Sequence, residues 1–314
     1  VLLLSSKQGS ILVLVHDLCN STRFHPYFED TGNKYKNLQI GGFTISTKNN
    51  TVEYFTRFPN IYIRGDIKKQ FGVSRKFYIT YILIDRYRSV EDFSWITLRK
   101  ILNFYGYKTT KNKPKAVKEI LDVLEYMINN KMIEVKQDLD SIGYDTGIEI
   151  QIIPENFDHP NKFTKITSSQ IDTIMMADSS INKENLLIAF LYINSYIGFR
   201  KNENEEKEIE NIDIDTSSTM APLAFWKSVQ SMAKDLAMSR QTITNCIDYL
   251  TTSTDTNEPL LIKHETGYIP QDDNKPPKQA PNIYVLNKEG YEKEIQWALN
   301  KMMEIYKVDH FIKK

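Results

Sequence analysis

Apolar residues fall mostly at helical spacing in residues 74–88, where Phe77, Tyr78, Tyr81, Ile82, Leu83 and Ile84 predict a first helix. A second is predicted from the cap residue Ser94 through Trp95, Leu98, Ile101, Leu102 and Tyr105, ending at Gly106. Pro114 suits the first position of a third helix, which turns Val117, Ile120, Leu121, Leu124 and Met127 or Ile128 inward up to about residue 130. Strand-like runs follow at 132–135 and 148–153, separated by a turn rich in Asp and Gly. Three helices and then a hairpin is the order of a winged helix.

The same order returns later in the chain. Residues 164–177 and 183–199 read as helices, the latter apolar around most of its circumference and suited to a core. In Ser231-Met-Ala-Lys-Asp-Leu-Ala-Met-Ser-Arg-Gln-Thr-Ile-Thr-Asn-Cys-Ile-Asp-Tyr-Leu250 the pattern predicts two short helices joined by a tight turn. Met232, Ala233, Leu236 and Ala237 form the inner face of the first. Ser239 caps the second, whose Ile243, Cys246, Ile247 and Leu250 recur at i, i+3, i+4 and i+7. Strands at 260–264 and 282–287 flank a bend at Thr266-Gly267 and a long polar tip. An amphipathic helix over 288–308 carries Tyr291, Ile295, Ala298, Leu299, Met302, Ile305 and Tyr306 on one side.

The expected fold is therefore mainly α with small β-wings (α+β), arranged as two tandem winged-helix, helix-turn-helix domains. Residues 1–59 form an N-terminal extension with short strands at 11–15 and 43–46. Residues 60–153 form a basic winged-helix-like domain, 154–165 a linker, and 166–314 the second winged-helix domain.

Composition narrows the class. Of 314 residues, 41% are apolar and 25% charged, which fits a folded globular chain, and no apolar run approaches a membrane span. Cys19 and Cys246 are far apart, and residues 1–7 lack a basic segment before an apolar one. A reduced, cytoplasmic location is expected. Forty basic residues balance forty acidic ones, but locally the balance breaks: residues 60–118 hold fourteen basic side chains against four acidic. Such a patch suits phosphate contact. Residues 201–215 hold seven acids against two lysines and read as a solvated loop of the second domain.

Candidate chemistry concentrates on the outer face of the helix that Ser239 caps. Arg240, Gln241, Thr244 and Asn245 can hydrogen-bond base edges, while Ser239 and Thr242 hold the helix start and donate to phosphate. Lys263, His264, Lys275 and Lys278 are the candidate contacts of the wing. Lys108, Lys111, Lys113, Lys115 and Lys118, at the start of the third helix, are those of the first domain. The plainer alternative is a helical hairpin within a core, with the lysines on a solvated face. No glycine-rich phosphate loop, paired-histidine spacing, Cys-x-x-Cys or His-hydrophobe-His motif occurs. A non-enzymatic chain with no cofactor or metal is expected.

Three segments, Phe190-Leu-Tyr-Ile-Asn-Ser-Tyr, Met232-Ala-Lys-Asp-Leu-Ala-Met-Ser-Arg-Gln-Thr-Ile and Asn282-Ile-Tyr-Val-Leu-Asn, carry a resemblance. The chain resembles the tandem winged-helix replication initiators of plasmids and phages of low-GC Gram-positive bacteria. The resemblance implies binding of origin repeats in double-stranded DNA, homodimer formation, and recruitment of host helicase or primase. Asn and Gln on the reading face favour adenine, so AT-rich sites are expected. A transcriptional regulator or partition adaptor on the same fold is one alternative; a replisome scaffold without sequence preference is another.

Overall fold

The computed structural model describes residues 2–6, 9–13, 37–40, 43–48, 51–64, 74–107, 114–158, 163–177, 180–197, 224–252, 258–271 and 275–313. The chain divides into two units, Val1–Tyr35 and Lys36–Lys314. In the first, β1 (Leu2–Ser6) and β2 (Gly9–Val13) form an antiparallel hairpin, with Leu2 opposite Val13 and Ser6 opposite Gly9.

The second unit begins with the meander β3 (Asn37–Ile40), β4 (Phe43–Lys48) and β5 (Thr51–Pro59). Then follow α1 (Lys76–Arg86), β6 (Phe93–Ile96), α2 (Leu98–Phe104), α3 (Pro114–Asn129), β7 (Ile133–Val135) and β8 (Ile148–Ile152). A short helix α4 (Pro154–Phe157), strand β9 (Phe163–Thr167) and helix α5 (Ser168–Met175) lead to α6 (Lys183–Tyr196). The chain continues through β10 (Phe225–Trp226), α7 (Val229–Asp235), α8 (Arg240–Thr251) and β11 (Leu261–His264). It closes with β12 (Tyr268–Ile269), β13 (Lys278–Gln279), β14 (Ile283–Leu286) and α9 (Tyr291–Tyr306). Helices and small antiparallel sheets are thus mixed, and no helix among the described residues is long and apolar enough to cross a membrane.

The expected linker is built structure. β9 pairs with β5, Phe55 opposite Thr167 and Pro59 opposite Phe163, which completes a four-stranded sheet in the order β3-β4-β5-β9. Thr164 and Ile166 alternate inward along β9, as strand geometry requires. The helix expected from residue 164 starts only at Ser168, because Thr167 is its cap. The Thr167 hydroxyl accepts from Gln170 N at 3.2 Å, and the Gln170 side chain accepts from Thr167 N at 3.0 Å. The boundaries expected at 59 and 165 therefore fall inside one sheet rather than between domains.

Between these strands and after them, one arrangement occurs twice. The order α1-β6-α2-α3-β7-β8 matches α6-β10-α7-α8-β11-β14, and the two sheets run β6-β8-β7 and β10-β14-β11. The register agrees as well. Ile150 stands between Ser94 and Val135, as Tyr284 stands between Phe225 and Lys263. One residue further along, Trp95 pairs with Glu149 and Trp226 with Ile283. Each copy also contains a short strand, β10 in the second and β6 in the first, the latter where the second helix was expected to begin.

The two copies share one apolar core. It runs from Phe58 and Tyr62 through α1 and α6, buried along most of their length, to Ile243, Cys246, Ile247 and Leu250 of α8. Lys76, only 2% exposed, locks the copies from within. Its ammonium donates to Glu184 of α6 at 2.6 Å and to Tyr107 at 3.0 Å, with Glu119 of α3 at 3.6 Å. At the other end of α1, Arg88 holds Asp158 through two bonds of 2.6 and 3.0 Å, while Tyr81 stacks on Phe157 at 4.1 Å. α9 covers the outer face of the second sheet, where Ala298 and Met302 meet Ile283 and Val285.

Candidate nucleic-acid interface

The turn between α7 and α8 sets the geometry of the site. Leu236 ends α7, and Ala237 takes the left-handed conformation at φ +48°. Met238 N then bonds back to Ala233 O at 2.9 Å, a tight stop that redirects the chain. Ser239 starts α8: its hydroxyl accepts from Thr242 N at 3.0 Å and lies 2.8 Å from the Thr242 hydroxyl. The apolar side of α8 is wholly buried, which fixes which residues turn outward.

Ser239, Arg240, Gln241, Asn245 and Asp248 are exposed, and Thr242 and Thr244 half-buried. Gln241 Nε2 donates to Asn245 Oδ1 at 2.7 Å, so the two amides form one platform. Thr244 donates its hydroxyl to Arg240 O at 3.1 Å and keeps its lone pairs. The platform presents donors from the Asn245 amide beside the acceptor oxygen of Gln241. The sequence-predicted reading residues therefore come together on the first two turns of α8. Asp248, a turn further on, puts a negative charge on the later part of that face. Behind it, burial pushes the Cys246 thiol up to about 11, so it stays protonated at neutral pH.

The hairpin candidates divide. Lys275 and Lys278 are exposed, Lys278 opposite Ile269 where β12 and β13 extend the hairpin. Lys263 is half-buried and pairs with Glu265 at 3.3 Å. Burial, and then the Lys313 charge, hold His264 below the ordinary imidazole range, so it brings no positive charge at neutral pH. The base of this hairpin is pinned. Tyr268 and Ile312 exchange two backbone bonds of 2.9 Å, and at Gly267, φ +96°, a Cβ would lie 2.4 Å from Ile312 O. Only glycine fits there.

In the first copy Lys115 and Lys118 are exposed on the first turns of α3, while Lys108, Lys111 and Lys113 lie outside the described residues, as does the acidic stretch 201–215. Much of the positive charge counted over 60–118 is engaged internally. Lys76 and Arg88 are buried in the networks above, Arg86 pairs with Asp172 at 3.1 Å, and Arg99 is bound to Asp145. Lys100 stands 3.5 Å over the Tyr87 ring. The hairpin of this copy is acidic, with Glu134, Asp138, Asp140, Asp145 and Glu149 against Lys136. Among the described residues, its exposed lysines at the start of α3 are Lys115 and Lys118. A count along the sequence missed this, because it cannot tell a lysine that faces water from one that faces a carboxylate.

Sequence reasoning also missed Arg75. Its guanidinium reaches from the start of α1 in the first copy to Ala237 O at 2.8 Å and Leu236 O at 3.3 Å in the second, and also holds the Asn185 side chain. Nothing local to Arg75 signals that reach. Among the described residues, no group of three or more His, Cys, Asp or Glu is placed to hold a metal ion. No family model, curated protein or solved structure matches the chain.

Proposed function

We propose that the two copies are winged helices and that α8 enters the major groove of duplex DNA to read its sequence. The observation that carries this reading is the Gln241–Asn245 platform, exposed on the first turns of a capped helix whose opposite side is buried. One acceptor beside donor hydrogens complements the adenine edge, which offers N6–H and N7 in the major groove. Arg240 lies beside the platform for a guanine or a phosphate, Thr244 adds a hydroxyl, and Ser239 and Thr242 meet the backbone at the helix start. Lys275 and Lys278 reach the flanking backbone from the hairpin, and Lys115 and Lys118 supply phosphate contacts from the first copy. The action is binding alone, with no reaction catalysed.

In the fuller reading, the chain initiates replication of a plasmid or phage by binding AT-rich repeats at its origin, and hands the DNA to host helicase or primase. Two copies of one fold joined through a shared core suit this, because the reading helix and the phosphate contacts of the first copy are then held at a fixed spacing. Selection of bound duplexes from a random pool, with a salt series, tests the binding. An enriched AT-rich site with a salt slope of several phosphates is expected; no enrichment would reject sequence reading. Maintenance of an origin-bearing plasmid that lacks its own initiator then separates an initiator from a regulator.

A further inference from the structure

We infer that Arg75 is a positioning residue for the reading helix, a clamp by which the first copy sets the orientation of α8 in the second. This inference rests on the reading of α8 proposed above. The geometry has three parts. First, the α7–α8 turn depends on one residue in the left-handed region, and that residue is alanine rather than glycine. A Cβ there disfavours the conformation, so that without outside support the turn would be populated roughly five- to thirtyfold less than with glycine. Second, the support comes from outside the helix pair. Arg75 donates to Ala237 O at 2.8 Å and to Leu236 O at 3.3 Å, the carbonyls that the turn leaves open as α7 ends. Third, Arg75 is itself fixed. It directly precedes the buried Lys76, whose ammonium is tied to Glu184, while its own guanidinium holds Asn185, the next residue of α6. One end of α6 is thus gripped twice from the start of α1, and the same grip extends to the turn.

The consequence is directional. α8 packs on α6 and α7 through its apolar side, which fixes the face it buries, while its start follows directly from the α7–α8 turn. Clamping the turn carbonyls steadies that start, so Gln241 and Asn245 are held in place before DNA arrives. Loss of the clamp should cost sequence discrimination more than backbone affinity, because base contacts need orientation and phosphate contacts tolerate its loss.

The test uses the full chain as wild type, Arg75→Ala, Arg75→Lys, Ala237→Gly and the Arg75→Ala/Ala237→Gly double variant. Amide hydrogen exchange is the first readout. Arg75→Ala should speed exchange at Leu236, Met238 and Ile243 about tenfold relative to amides of α9, and Arg75→Lys should do so less. Ala237→Gly should restore most of the protection, since glycine holds the turn without help. The second readout is the ratio of affinities for a selected duplex and a scrambled one, which should fall about tenfold in Arg75→Ala and recover in the double variant. Unchanged exchange in Arg75→Ala would overturn the clamp, and so would equal acceleration in every element or a double variant no better than the single. If no duplex is selected, the DNA reading fails while the exchange data still decide the clamp.

Discussion

Trp95 and Trp226 occupy the same rung of two equivalent sheets, yet their surroundings are opposite. Trp95 is 63% exposed, whereas Trp226 packs against Trp297 of α9 with ring centroids 5.9 Å apart. The neighbouring rungs explain the difference. Ile283 and Val285 give the second sheet an apolar outer face, which α9 covers, and the same positions in the first sheet are Glu149 and Gln151. One architecture has been turned to two surfaces by changing which residues alternate outward.

The two tryptophans should therefore respond differently to truncation. Trp226→Ala should cost about 2–3 kcal/mol, the lower range for a large aromatic that is only partly enclosed. Trp95→Ala should stay within about 0.5 kcal/mol, as surface changes do. Urea unfolding followed by circular dichroism reads both. In the wild type, acrylamide should quench Trp95 emission well ahead of the other two indoles. A stability loss at Trp95 equal to that at Trp226 would contradict the exposed placement.

Base reading and phosphate contact should separate by substitution. Asn245→Ala is expected to cost about 1–3 kcal/mol on a selected duplex and to relax the preference at one or two positions. Lys115→Ala should weaken every duplex alike and lower the salt slope by about one. Binding titrations at two or more salt concentrations distinguish the patterns. If both variants lost only nonspecific affinity, α8 would not be the reading element.

Stability should fall as pH rises from about 4 towards neutrality, and Asp85 is the reason. Burial pushes its carboxyl from 3.8 up to about 7, with Arg88 and the Thr56 hydroxyl acting in the opposite direction. The folded chain thus holds this proton to a higher pH than the unfolded chain. Its contribution is complete below about pH 4 and is lost as pH climbs from about 4 to 7, a change on the order of 4 kcal/mol. Urea midpoints at pH 5 and pH 8 should differ in the wild type and converge in Asp85→Asn. A difference that persists in the variant would assign the effect to another group.

The lock at Lys76 should be costly to break from one side. Burial acts to lower its pKa, but the hydrogen bonds it donates to Glu184 and Tyr107, with the Glu184 charge, outweigh burial and keep it an ammonium. Removing the carboxylate by Glu184→Ala strands that charge and should cost about 3–5 kcal/mol. Replacing both partners, Lys76→Met with Glu184→Leu, should recover most of the loss. Chemical denaturation of the two variants beside wild type reads this; a Glu184→Ala variant as stable as wild type would show that Glu119 and Tyr107 suffice.

The sequence made much of this legible. Its helical spacing places α3 from Pro114, the Ser239 cap starts α8, and both hairpins fall within a residue or two of their expected runs. β6 was hidden because Trp95, Leu98, Ile101 and Leu102 keep helical spacing across a break. In the structure Thr97, not Ser94, is the cap, accepting from Lys100 N at 3.1 Å, and Trp95 faces out from a strand. β9 had a local signal in Thr167-Ser-Ser-Gln, whose capping box marks where the helix starts and therefore where extended chain must precede it. What no local pattern could carry is the pairing of β5 with β9 or the reach of Arg75, since each joins residues about a hundred or more positions apart.

That pairing gives the molecule a temporal order. β5 has its partner in β9, so the whole first copy is an insertion between two neighbouring strands of one sheet. During synthesis, at roughly 5–20 residues per second, β5 leaves the ribosome and waits on the order of 5–20 s for β9. Throughout that time one edge of β5 is open, and Phe55, over which Lys165 of β9 lies in the finished fold, lacks that cover. A nascent chain halted before residue 163 is therefore the species most exposed to aggregation, and the one for which a chaperone would matter most.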